Sequence, residues 1–149
     1  MQVQVVTSQK EVVCKDFKEL LQEYPQTILY FYPKDNTPGC SLEAKEFSEH
    51  LEAFHAYGIG VIGVSKDSAA SHCSFISKQG LRFPLISDES KELQERYGAW
   101  GEKKNYGKTF MGTIRSTFLL NQEGEILKAW RNVKASGHVA RVMKELGIE

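Results

Sequence analysis

Between Pro25 and Pro33 runs Thr-Ile-Leu-Tyr-Phe-Tyr (residues 27–32), six β-branched, aliphatic or aromatic residues with no polar alternation. Such a run fits a strand that is buried on both faces, and a strand of that kind sits in the middle of a sheet covered by helices on either side. That one segment confines the chain to α/β architecture. The remaining periodicity agrees. Residues 59–65 (Ile-Gly-Val-Ile-Gly-Val-Ser) read as a second buried strand, and residues 83–87 as a shorter one. Between the strands, Ala44, Phe47, Leu51 and Phe54 recur at steps of three and four, the buried stripe of a helix that begins at or just before Cys40.

Asp67 or Ser68 can cap a second helix running to about Gln79, with Gly80 at its end, and Asp88 a third that ends near Tyr97-Gly98. Ahead of the central strand, Phe17, Leu20 and Leu21 define a helix over residues 15–23, and Val3 and Val5 an edge strand. Residues 99–112 read as a long Lys/Gly-rich connection. A hairpin follows, with strands over 116–120 and 125–130 around Gly124, and then a terminal helix on Val139, Met143 and Leu146 that Ser136 caps and Gly147 closes. The order describes a thioredoxin-like fold, a central mixed sheet flanked by helices, in a single domain spanning residues 1–149.

Composition narrows the function. With 19 basic and 19 acidic residues and no block of like charge, the chain has no footprint for nucleic acid or an anionic membrane as its main partner. Its apolar runs fall far short of the ~20 residues of a membrane span, and its N-terminus carries no secretory signal, so the reading is cytoplasmic. Three cysteines in a reducing compartment point to free thiols rather than a disulfide framework. The four histidines lack metal-ligand spacing, and no metal or other cofactor is expected.

One thiol is placed for chemistry. Cys40 follows the turn Pro-Lys-Asp-Asn-Thr-Pro-Gly (33–39), at the C-terminal end of the central strand and the start of a helix. Ligands of open α/β sheets bind at such strand ends, and first-turn N–H groups favour a thiolate over a thiol. Thr37, three residues upstream, can turn its hydroxyl toward the sulfur or toward a bound oxygen, while the two prolines stiffen the loop.

The stretch Phe-Tyr-Pro-Lys-Asp-Asn-Thr-Pro-Gly-Cys (31–40), with its Pro-x-x-x-Thr-x-x-Cys spacing, resembles the active-site loop of peroxiredoxins, in particular the peroxiredoxin Q (bacterioferritin comigratory protein) subgroup. Gly63-Val64-Ser65, Ser71-His72, Phe83-Pro84-Leu85, Gly101-Glu102-Lys103-Lys104 and Arg115-Ser116-Thr117-Phe118 extend the resemblance over roughly residues 27–140. It implies that Cys40 is a peroxidatic cysteine attacking hydrogen peroxide or organic hydroperoxides, with Pro33, Thr37 and Arg115 as the other members of the site. It also implies a monomer recycled by thioredoxin or a glutaredoxin-type dithiol protein. A disulfide reductase is disfavoured, since Pro38-Gly39-Cys40-Ser41 lacks a Cys-x-x-Cys pair.

The chain departs from the subgroup at the second thiol. Lys45 stands where many members carry a resolving cysteine five residues after the first, and Ile76 where others carry it on the next helix. Cys73, one turn before Ile76, is a near-match: a possible resolving thiol, or a buried inert one. Cys14 reads as a half-buried hydrophobe. An Ala-Pro-Asp-Phe start is also missing, which suggests a shortened first hairpin and a more open Cys40 pocket. Trp100 and Tyr106 flank Lys103-Lys104, a basic pair that could meet an acidic partner or simply be solvated.

Overall fold

The computed structural model describes all 149 residues. In chain order they form β1 (Gln2–Val6), β2 (Val12–Asp16), α1 (Phe17–Leu20), β3 (Gln26–Phe31), α2 (Pro38–Glu49), α3 (Leu51–Ala56) and β4 (Ile59–Ser65). Then follow α4 (Ala69–Gln79), β5 (Leu85–Ser87), α5 (Glu92–Arg96), β6 (Trp100–Asn105), β7 (Lys108–Thr113), β8 (Ser116–Leu120), β9 (Ile126–Trp130) and α6 (His138–Glu145). Seven strands make one mixed sheet in the order β2-β1-β5-β4-β3-β8-β9. β3 pairs parallel with β4 and antiparallel with β8, and β4 pairs parallel with β5.

Because successive strand residues point to opposite faces, β3 feeds two cores. Ile28, Tyr30 and Tyr32 join the layer under α2, α3, α4 and α6, with Phe47, Phe54, Phe75 and Val139. Leu29 and Phe31 join the layer under α1 and α5, with Phe17, Leu20, Leu93, Tyr97 and Phe118. Every residue from Ile28 to Tyr32 is fully buried, which is why the run carries no polar alternation. In the parallel part of the sheet, a Cβ on Gly63 would lie 2.8 Å from Leu85 and 2.9 Å from the Tyr30 ring. Gly63→Ala should therefore lose about 1–3 kcal/mol in a urea titration by overpacking; an unchanged midpoint would show that the Tyr30 ring can move aside.

Several expectations are corrected. Residues 12–16 are a strand rather than the beginning of a helix, and helix α1 is confined to Phe17–Leu20. β1 is consequently an interior strand between β2 and β5, and the edge falls to β2. β1 and β2 pair over five positions, and Cys40 is only 1% exposed, so its pocket is not an open one. The helix after Cys40 breaks at His50 into α2 and α3.

The connection over 99–112 contains a second, two-stranded sheet, β6–β7, paired from Trp100↔Thr113 to Asn105↔Lys108. Its turn is Tyr106-Gly107, both with positive φ (52° and 77°), the conformation that two-residue hairpin loops require. Finally, α6 begins at Gly137 with no side-chain cap, so Ser136 does not cap it, and Leu146 lies just past its end. Ser68 does cap α4, accepting the Ser71 N–H at 3.2 Å, and Gly80 ends that helix.

Candidate active site

Where β3 ends, the chain turns through residues 33–37 into α2. Asn36 takes a left-handed conformation (φ 60°), which asparagine tolerates, and Thr37 and Pro38 then start the helix. Cys40 is the third residue of α2, in the turn whose N–H groups have no intrahelical partner. Its sulfur is reached by Arg115, just ahead of β8, the strand paired with β3. Nη2 of Arg115 lies 3.2 Å from Cys40 Sγ, and Nη1 lies 2.6 Å from Glu43 Oε1. Gly39 leaves room for this approach, since a Cβ there would stand 3.4 Å from Arg115 Nη2.

The guanidinium thus bridges the thiol and a carboxylate one helical turn further along α2. Burial works against the Arg115 charge, but Glu43 and Cys40 outweigh it and hold it more firmly protonated than an ordinary arginine. Pro33 is half-buried, and its carbonyl accepts from Lys66 Nζ at 3.3 Å. The Thr37 hydroxyl donates to the Lys34 carbonyl at 2.9 Å rather than to the sulfur. With its proton committed there, the oxygen is left with lone pairs free to accept.

Cys73 lies elsewhere on the same side of the sheet. It is half-buried on α4, and its Sγ sits 3.7 Å from the Lys10 carbonyl in the β1–β2 turn. All three cysteines are free, with Cys14 exposed on β2. The Lys103–Lys104 pair is not simply a solvated loop: Lys103 donates to the Thr113 carbonyl at 2.8 Å. Burial, and then the charges of Arg115 and Lys66, hold its ammonium below the ordinary lysine range.

Sequence reading missed four groups around this centre. Glu43 is fully buried, and its second oxygen has no hydrogen-bond partner. The Cys-x-x-Glu spacing, which sets both residues on one helix face, was the available signal. The Tyr30 hydroxyl beneath the site is buried and unpartnered, and burial followed by the Glu43 and Cys40 charges keeps it a neutral phenol. His138 Nε2 is 2.7 Å from Thr117 Oγ1 and 3.9 Å from Glu43 Oε2, so this histidine belongs to the buried wall behind Arg115. The fourth, Asp35, lies in the turn itself and is 4% exposed.

Burial pushes the Glu43 carboxyl up from 4.5 to about 7 despite Arg115, and burial pushes the His138 imidazole down from 6.5 to about 4. The two act oppositely on stability. Between pH 4.5 and about 7 the unfolded chain has ionised Glu43 while the folded chain still holds its proton, so Glu43 removes stability as pH rises. Between pH 6.5 and about 4 the unfolded chain has protonated His138 while the folded chain has not, so His138 removes stability as pH falls. Each amounts to about 3 kcal/mol at most, at 1.36 kcal/mol per unit, and over the shared window they offset one another. Glu43→Gln should therefore expose an acid-side loss of stability in denaturant titrations between pH 6.5 and 4.5, and His138→Gln the opposite slope. Parallel profiles for the two variants would contradict this pairing.

The AhpC/TSA family matches residues 4–129 of the chain. The putative peroxiredoxin bcp of Helicobacter pylori is 46% identical over 129 residues, covering 87% of this chain and 84% of that protein. Peroxiredoxin Bcp of Bacillus subtilis is 46% identical over 119 residues, 80% and 76% of the two chains. Among solved structures, a cysteine-to-serine mutant of Xanthomonas campestris peroxiredoxin Q superposes with a TM-score of 0.87 at 37% identity, covering 99% of this chain and 89% of that one. The bacterioferritin comigratory protein of the same organism, a structure concerned with alkyl peroxide reduction, gives 0.84 at 37% identity with 99% and 90% coverage.

Proposed function

Because the chain belongs to the AhpC/TSA family and is a thiol peroxidase of the peroxiredoxin Q kind, we propose that Cys40 is its peroxidatic cysteine, working with Arg115, Thr37 and Pro33. The observation that supports this most is the 3.2 Å contact between Arg115 Nη2 and Cys40 Sγ at the start of α2. A fixed cation and free N–H groups stand beside the sulfur, which attacks as the thiolate. Sγ forms a bond to one peroxide oxygen as the O–O bond breaks. The other oxygen leaves with the electron pair and takes a proton, so that thiolate, hydroperoxide and one proton become Cys40 sulfenic acid and water or an alcohol.

Negative charge moves from sulfur to the leaving oxygen, and Arg115 already stands where it can follow that charge. Thr37, its own proton engaged by Lys34, accepts the hydroperoxide O–H and orients the molecule. Pro33 keeps the turn stiff beneath it. No cofactor enters the scheme.

The sulfenic acid is returned to the thiol by a dithiol protein of the thioredoxin or glutaredoxin type, with hydrogen peroxide and organic hydroperoxides as oxidising substrates. We place the protein in the cytoplasm as a monomer of one domain; no helix in it is long and apolar enough to cross a membrane. Cys73 is the candidate resolving thiol. To bridge to Cys40 it must leave the Lys10 carbonyl, and the two Cα atoms must stand within ~7 Å, the reach of a disulfide.

Protein treated with one equivalent of hydrogen peroxide and trapped with dimedone should carry the adduct on Cys40, not on Cys14 or Cys73. An adduct confined to another cysteine would overturn the assignment. Without the trap, a loss of two hydrogens that disappears in Cys73→Ser identifies Cys73 as resolving. A loss that persists in that variant removes Cys73 from the cycle.

A further inference from the structure

Asp35 and His72 form a buried hydrogen-bonded pair that peroxide chemistry does not use. Asp35 stands in the turn between β3 and α2, two residues before Thr37 and five before Cys40. His72 is on α4, next to Cys73, and its side chain is completely buried. The Asp35 carboxyl accepts from Tyr32 Oη at 2.6 Å and from Ser71 Oγ at 2.8 Å, and it is hydrogen-bonded to His72 Nδ1 at 2.7 Å. The other ring nitrogen of His72 lies 3.0 Å from the Ile86 carbonyl, and the Asp35 backbone N–H donates to Asp67 Oδ2 at 2.8 Å.

A carbonyl only accepts, so Nε2 carries a proton, and a second proton lies in the 2.7 Å contact between Nδ1 and Asp35 Oδ2, where two bare acceptors would repel. The arrangement is a buried imidazole–carboxyl pair with its hydrogen-bonding capacity met. Such a pair is a poor device for stability alone, because an apolar pair of the same volume avoids the desolvation cost. What it does supply is a fixed register between two elements far apart in sequence. Two of the three side chains on Asp35 come from α4, so the turn that carries Thr37 and delivers Cys40 cannot lift without breaking bonds to that helix.

We infer that Asp35 and His72 are a positioning pair that locks the Cys40 turn to α4, so that the first turns of α2 and α4 open together or not at all. This rests on Cys40 being the peroxidatic thiol and goes beyond it. Closed, the lock holds Sγ beneath Arg115 for peroxide. Open, it releases Cys40 and Cys73 in a single event, the one a disulfide or an incoming reductant needs.

Asp35→Asn replaces an acceptor by a donor facing His72, and Ser71→Ala removes one bond from the half-buried rim of the pair. Both are tested with Cys14 and Cys73 changed to Ser, so that only Cys40 reacts. In Asp35→Asn the second-order constant with hydrogen peroxide should fall about tenfold while alkylation of Cys40 by iodoacetamide rises about tenfold, because the sulfur is displaced from Arg115 and exposed. Ser71→Ala should move both in the same directions by about threefold, and it carries the test if Asp35→Asn does not fold. Amide exchange over residues 39–42 and 70–74 should accelerate together.

Leu93→Ala, a cavity in the opposite core layer, serves as a variant of comparable global destabilisation and should leave the ratio of the two rates unchanged. A ratio that moves equally in Leu93→Ala, or exchange that accelerates in only one of the two segments, overturns the lock. A parent protein whose Cys40 is not oxidised by peroxide would instead overturn the assignment of Cys40, a separate failure.

Discussion

Cys40→Ser should consume hydrogen peroxide no faster than an equimolar solution of free cysteine, a loss of all detectable catalysis in a stopped-flow assay. Cys14 and Cys73 remain in that variant, and neither has the surroundings that would let it substitute. Cys14 is exposed on an edge strand, and Cys73 faces a backbone carbonyl, a partner that offers a thiolate nothing. The serine hydroxyl would occupy the same buried position under the same guanidinium, yet it stays protonated at neutral pH and does not attack an O–O bond. The comparison therefore separates the reactivity of sulfur from the geometry around it. Peroxide consumption within threefold of wild type would sink the assignment, whereas Cys14→Ser should be silent.

The parts of this site that could be read in the sequence are those written in neighbouring residues. The central strand was legible because burial on both faces leaves six consecutive apolar or β-branched residues. The Cys40 turn was legible because proline, asparagine, glycine and threonine each restrict or cap the chain there. Ser68 and Gly80 marked the ends of α4 for the same local reason.

What escaped depends on partners far away. Asp35 and His72 are 37 residues apart, and no spacing links them. Glu43 resembles any surface glutamate of an amphipathic helix until Arg115, 72 residues on, is folded over it. β6 and β7 escaped for another reason: they leave the main sheet, carry Lys, Glu, Asn and Thr on open faces, and present no apolar alternation to read. Phe17, Leu20 and Leu21 are buried, as their helical spacing implies. The start of their helix was misplaced because Lys15 and Asp16 are acceptable on the outer strand β2, where the paired face is one-sided.

Arg115→Met should lower the second-order constant for hydrogen peroxide by about 10²–10³-fold, the usual cost of removing one charged or hydrogen-bonding group aimed at developing negative charge. Two effects combine. The attacking sulfur loses the cation held 3.2 Å from it, and the leaving oxygen loses the donor that would receive its charge. Arg115→Lys keeps a positive charge but not the fork. A single ammonium cannot span Cys40 Sγ and Glu43 Oε1 as the two guanidinium nitrogens do, so lysine should recover only part of the loss.

Removing the arginine also leaves Glu43 buried without its counter-charge, and burial alone would drive that carboxyl to hold its proton still more firmly. Adding Glu43→Gln to Arg115→Met should then restore stability without restoring rate, which distinguishes a damaged fold from a missing charge. A fall of less than threefold in Arg115→Met, with the protein folded, would show that the helix start alone activates Cys40 and that the guanidinium serves only to neutralise Glu43.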